Sequence, residues 1–146
     1  MNTSPLKSIL LVDDDEISNL FNKIFIDRLN IEAEVDIANN GVEALKFFNE
    51  RDDYTGQSLL LTPCLLLLDI KMPVMDGWEF LSAYEEKVAD ELKKNVVIVM
   101  LTTSEDQADA IRAMNNPNIR EFIQKPLSED KFISLITKFF GEKVFA

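Results

Sequence analysis

Ile9-Leu10-Leu11-Val12 running into Asp13-Asp14-Asp15-Glu16, and Leu65-Leu66-Leu67-Leu68 running into Asp69, are the stretches that decide the fold. A short apolar run bounded by polar residues reads as a strand buried on both faces, the habit of parallel sheets. Each acidic group then sits at a strand's carboxyl end, where open α/β sheets keep their ligand sites. Crowded carboxylates repel one another unless a cation or protons join them. A hard, oxygen-preferring ion such as Mg²⁺ suits them, so the pattern points to a metal-dependent phosphoryl site.

Further strand-like runs lie at Val35–Ala38, Val96–Leu101 and Phe122–Ile123, with helical patterns between them. Ile17, Leu20, Phe21, Ile24 and Phe25 make one helical stripe. Asn40-Gly41-Val42-Glu43 opens a second helix with an Asx capping box, and Leu45 and Phe48 follow. A third helix should follow Asp76-Gly77 and carry Trp78, Phe80, Leu81 and Tyr84. Ser104-Glu105-Asp106-Gln107 is a capping-box match for a fourth helix, which has only Ile111 and Met114 as large anchors and should be weakly held. A fifth starts at Ser128, with Phe132, Leu135, Ile136, Phe139 and Phe140 on one side. Five alternations of strand and helix predict an α/β fold, a doubly wound parallel sheet with helices on both faces. The segment Arg51–Pro63 is long for a helix-to-strand connection, and its Tyr54-Thr55-Gly56-Gln57 stretch reads as a turn.

The chain has 146 residues, which suits a single domain over residues 1–146. Its net charge of -11 argues against nonspecific nucleic-acid binding and against docking on anionic membranes. A basic protein partner or a bound cation fits better. One cysteine, Cys64, forbids an internal disulfide and favours a cytoplasmic location. The absence of histidine removes Ser-His-Asp and Cys-His catalysis and His-based zinc sites. The four apolar residues Ile9–Val12 before Asp13 are too few for a signal-peptide core. Thr62, Pro63 and Asp69 interrupt the Leu59–Ile70 region, so it does not span a membrane.

Successive strand residues point to opposite sides, so Asp13 and Asp14 reach one ligand alike only if the chain turns between them. One would coordinate directly and the other through water, while Asp15 and Glu16 begin the first helix. A carboxylate at a strand tip such as Asp69 can attack phosphorus. The hydroxyls of Thr102-Thr103-Ser104 could donate to a phosphoryl oxygen. Lys125, before Pro126, could pair with Asp69 as a point charge, and Lys125-Pro126 is a candidate cis bond. Acid pair, single Asp, hydroxyl and lysine thus fall on the ends of strands one, three, four and five.

That ordered set resembles the receiver domain of two-component response regulators, of the stand-alone CheY-like type. The stretches that carry the resemblance are Leu11-Val12-Asp13-Asp14, Leu68-Asp69-Ile70-Lys71-Met72-Pro73-Val74-Met75-Asp76-Gly77, Met100-Leu101-Thr102-Thr103 and Lys125-Pro126-Leu127. The resemblance implies the flavodoxin-like strand order 2-1-3-4-5 and a phosphorylation-activated switch. It makes Asp69 the phosphoacceptor. Asp13, Asp14, Asp69 and the backbone carbonyl of Lys71 would be the Mg²⁺ ligands, Thr102 the switch hydroxyl and Lys125 the phosphoryl-binding lysine, followed by a cis bond. Phe122 falls at the switching aromatic, and Lys71 and Ser104 at positions that tune phosphoryl lifetime. The donor would be a sensor histidine kinase or a histidine phosphotransfer protein, and the signal would pass to a downstream protein. A homodimer is compatible with this reading. The chain stops just after the fifth helix, so no output domain is expected.

Two rivals remain. Asp13-Asp14-Asp15 also fits the Asp-x-Asp start of haloacid-dehalogenase-type phosphatases, with Asp13 as nucleophile and Asp15 as acid/base. That family also needs a late acidic motif after a strand, and Glu129, Asp130 and Glu142 do not follow one. The other rival is a pseudo-receiver used only for docking.

Overall fold

The computed structural model describes residues 5–50, 53–54, 59–103 and 107–145. Its centre is a five-stranded sheet of β1 (Ser8–Val12), β2 (Glu34–Ala38), β3 (Cys64–Asp69), β4 (Val96–Thr102) and β5 (Ile119–Gln124), in the order β2-β1-β3-β4-β5. All pairs are parallel, the doubly wound, flavodoxin-like order expected from the sequence. Val12 lies beside both Ala38 and Leu68, and Asp69 beside Leu101. The strands therefore end nearly level, and the residues just past their ends collect along one edge.

Side-chain alternation splits the core into two layers. Leu10, Val12, Leu66, Leu68, Ile98 and Met100 pack with Phe48 of α2 (Gly41–Asn49) and with Phe80 and Tyr84 of α3 (Gly77–Lys87). Ile9, Leu11, Leu65, Leu67, Val99 and Leu101 pack with Ile26 of α1 (Glu16–Arg28) and with Phe132, Leu135 and Ile136 of α6 (Glu129–Phe140). Each fully buried aliphatic or aromatic side chain contributes about 1.5–3 kcal/mol. Edge-to-face ring pairs close both layers, with centroids 5.4 Å apart for Phe48–Tyr84 and 5.5 Å for Phe25–Phe132.

The caps follow their residues. Asn40 accepts from the Glu43 amide, while Glu43 reaches back to the amide of Asn39. Asp76 and Glu79 form a reciprocal capping box on α3, and Ser128 caps α6. The Ser104 capping box lies outside the described residues, as does most of the Tyr54–Gln57 turn, of which Tyr54 belongs to a described turn. Across the same connection Leu60 is buried and its amide donates to the Phe47 carbonyl.

Three expectations change. A sixth helix, the single-turn α4 (Asp90–Lys93), precedes β4; four residues are too few to show a period. The predicted fourth helix is therefore α5 (Gln107–Met114), and its named anchors face water: Ile111 is 57% and Met114 82% exposed. Its hold is buried Ala113 together with the Arg112 guanidinium, stacked 4.3 Å from the Trp78 ring centroid. The α1 stripe also points outward, except at Phe25. Ile17, Leu20, Phe21 and Ile24 are all exposed, and the buried residues of α1 are Asn19 and Ile26. The helix forms where expected, but of its stripe Phe25 alone turns inward, half-buried beside Ile26 against the sheet.

Candidate functional site

The level strand ends bring Asp13, Asp14 and Asp69 together. One carboxylate oxygen from each lies within 4.8 Å of the others, the one such acidic group among the described residues. Asp13 is buried, Asp14 exposed and Asp69 between them. The chain does turn after Asp13: the Asp15 amide donates to Asp13 Oδ1 at 2.9 Å, so neighbouring carboxylates in the run can converge. Asp15 itself caps α1, taking the Ile17 amide at 3.0 Å and the Ser18 hydroxyl at 2.9 Å. Those two bonds hold its carboxyl below the ordinary range. An acid/base role for Asp15 would need that cap to be given up.

Lys125 reaches over from β5. Its Nζ donates to Asp13 Oδ2 at 2.5 Å and lies 3.5 Å from Asp69 Oδ1. The ammonium thus bridges both carboxylates and sits closer to Asp13 than to Asp69. Burial opposes its charge, but the bond to Asp13 and the charges of Asp13 and Asp69 outweigh burial and raise its pKa. Asp69 is pushed up to about 6, first by burial and then by the Asp13 charge, with Lys125 and the Ile70 amide (2.9 Å to Oδ1) pulling the other way. Its ionised form is strained in just the way a divalent cation would relieve. Hard carboxylate oxygens in this number and spacing fit Mg²⁺.

The remaining predicted residues lie around this cluster. Thr102 is buried at the end of β4, and its carbonyl accepts from the Lys125 amide at 2.7 Å. Lys125-Pro126 is cis, as is the unforeseen Thr62-Pro63. Lys71 is exposed beside Asp69, and Phe122 is half-buried on β5 against the α2/α3 layer. Ser104 lies outside the described residues.

Two contributors were missed. Gly77 must be glycine: a Cβ there would stand 2.4 Å from the Asp69 carbonyl oxygen, and the Gly77 amide donates to Ile70 O at 2.8 Å. The sequence offered Gly77 only as the start of the third helix and the end of the stretch that carries the resemblance. Asn19 is buried on α1 and donates to the Asp13 carbonyl at 2.9 Å. An amide on the sheet side of an otherwise apolar-striped helix was the available signal, and the stripe on the opposite side hid it.

Residues 9–137 match the family model of the response regulator receiver domain. The chain belongs to the response regulator receiver family. It is 32% identical over 132 residues to the chemotaxis protein CheY of Halobacterium salinarum, covering 90% of this chain and 98% of that one. It is likewise 32% identical over 109 residues to the response regulator Rcp1 of Synechocystis sp., covering 75% and 70%. Among solved structures, the response regulator TrrA of Thermotoga maritima, in complex with Mg²⁺-BeF, superposes with a TM-score of 0.63 at 27% identity, covering 90% of this chain and 97% of that one. The receiver is thus a phosphorylation-activated signalling switch, of a family that signals rather than catalyses, and its kind of partner is a histidine kinase or phosphotransfer protein. Among the described residues no helix is long and apolar enough to cross a membrane.

Proposed function

We propose that Asp69 accepts a phosphoryl group from the phosphohistidine of a sensor histidine kinase or a histidine phosphotransfer protein, in a Mg²⁺-dependent reaction. The phosphorylated form then engages a downstream protein. One observation carries this reading: Asp69 shares its strand-end cluster with Asp13 and Asp14 while Lys125 bridges Asp13 and Asp69. In the transfer a P–O bond forms at the Asp69 carboxylate as the donor's P–N bond breaks, and the imidazole keeps the electron pair. Asp13, Asp14, Asp69 and the Lys71 carbonyl would hold Mg²⁺, whose charge offsets repulsion between carboxylate and phosphoryl oxygens.

The chain's own groups do the rest. Lys125 supplies a point charge to the phosphoryl oxygens, and the Thr102 hydroxyl donates to one of them. Drawing both inward biases β4, β5 and the lightly held α5, with Phe122 following. Such a bias needs roughly 5 kcal/mol of differential interaction to move the balance from mostly off to mostly on. Lys71 covers the phosphoryl group against water, and Ser104 tunes its lifetime with Lys71. The receiver catalyses only its own phosphorylation and dephosphorylation. Beside the site, the exposed row Ile17, Leu20, Phe21 and Ile24 adjoins a groove of about 590 Å³ lined by Phe25, Arg28 and Pro126 among others, which suits the apolar helical face of the donor. A cytoplasmic location goes with this reading, since the buried thiol of Cys64 needs no oxidising compartment.

The test is intact mass after incubation with Mg²⁺ and acetyl phosphate. One acid-labile phosphate is expected, lost in Asp69→Asn. Label that persists in Asp69→Asn and vanishes in Asp13→Asn would overturn the assignment in favour of the phosphatase reading.

A further inference from the structure

Asn19 is only 3% exposed, on the first full turn of α1. Its Nδ2 donates to the backbone carbonyl of Asp13 at 2.9 Å, whereas its own Oδ1 is buried with no partner among the described residues. A buried acceptor without a partner is costly. Leucine, of nearly the same shape, would pack there without that cost. What the amide adds over leucine is the single bond it donates.

That bond acts at a sensitive place. The Asp13 amide is already fixed on the Ala38 carbonyl at 3.0 Å. Clamping the Asp13 carbonyl as well sets the plane of the Asp13–Asp14 peptide, and so the direction in which the Asp14 side chain leaves the backbone. Asp14 needs that help. It is exposed, and none of the described residues bonds its carboxylate, while Asp13 is held by Asp15 and Lys125. Resting on the phosphoacceptor reading of this site, we infer that Asn19 is a positioning residue that aims Asp14 at the divalent cation through the Asp13 carbonyl. It touches neither the cation nor the phosphoryl group.

The test compares wild type, Asn19→Leu, Asn19→Ala and Ile26→Val. The last trims a buried side chain of the same helix, away from the acidic loop. Mg²⁺ affinity is measured by calorimetry, melting is followed in EDTA, and acetyl phosphate labelling is run across a Mg²⁺ titration. Asn19→Leu should bind Mg²⁺ about 10-fold more weakly, the usual consequence of losing a group that orients a ligand. Its cation-free melting temperature should change little, because a donated bond and a stranded acceptor go together. Labelling should need about 10-fold more Mg²⁺ for half its maximum and reach the wild-type plateau. Ile26→Val should melt lower with its Mg²⁺ affinity unmoved. A folded Asn19→Leu or Asn19→Ala with wild-type Mg²⁺ affinity would overturn the inference. So would a lower plateau at unchanged half-saturation, or failure of both variants to fold, which would make the amide a requirement of the fold. A wild type indifferent to Mg²⁺ would overturn the functional reading and this one together.

Discussion

Removing the Asp69 charge should stabilise the cation-free receiver, by an amount set by its surroundings. Burial and the Asp13 charge raise its carboxyl from 3.8 to about 6. Between those values the folded chain holds a proton that the unfolded chain has released, so stability falls as pH rises through the window. The Asp69 penalty is absent below 3.8 and complete above about 6. At about 1.4 kcal/mol per pH unit, it reaches about 3 kcal/mol at neutral to basic pH. Asp69→Asn keeps the shape and drops the charge. In urea denaturation with EDTA it should be more stable than wild type by about 3 kcal/mol near pH 8, and by only about 1 kcal/mol near pH 4.5. Mg²⁺ should close the gap at pH 8 by stabilising wild type, since a ligand of the native state adds RT ln(1 + [L]/Kd). A variant no more stable than wild type at pH 8, or equally favoured at both pH values, would refute the account of strained carboxylates.

Gly77→Ala should destabilise by about 2 kcal/mol in chemical denaturation and slow acetyl phosphate labelling, because its Cβ meets the Asp69 carbonyl at 2.4 Å. Arg112→Ala removes the stack on Trp78, worth about 0.5–1 kcal/mol. Amide exchange across α5 should rise while global melting barely moves, and unchanged α5 exchange would count against the contact as its hold. Lys71→Ala should speed loss of phosphate from the labelled protein, followed by mass over time; equal or slower loss would remove its shielding role.

Much of the fold was legible because the strands speak plainly. Leu65–Leu68 has no polar residue to dilute it, and its alternate residues serve both core layers. The acidic tips were legible because they directly follow such runs. Helices were less transparent. The α1 stripe is a true period of the sequence, yet period alone does not say which side meets the sheet, and Asn19 and Ile26 do. Ile111 and Met114 looked like anchors because hydrophobicity was the only clue, whereas buried Ala113 and Arg112 do the holding, Arg112 through a ring three elements earlier. Close approach of Gly77 to Asp69, and the choice of Lys125 for Asp13 over Asp69, are distances between segments that no spacing along the chain contains.

The bridge from Lys125 to Asp13 spans 112 positions of the chain, and this has a consequence for synthesis. A ribosome delivers β1, β3 and β4 well before β5. A nascent receiver that has emerged only through Thr102 carries Asp13, Asp14 and Asp69 but has neither Lys125 nor the Phe132, Leu135 and Ile136 that close its second core layer. Chains stalled or truncated before Lys125 should therefore stay open to protease with or without Mg²⁺, and the finished protein alone should gain protection from the ion.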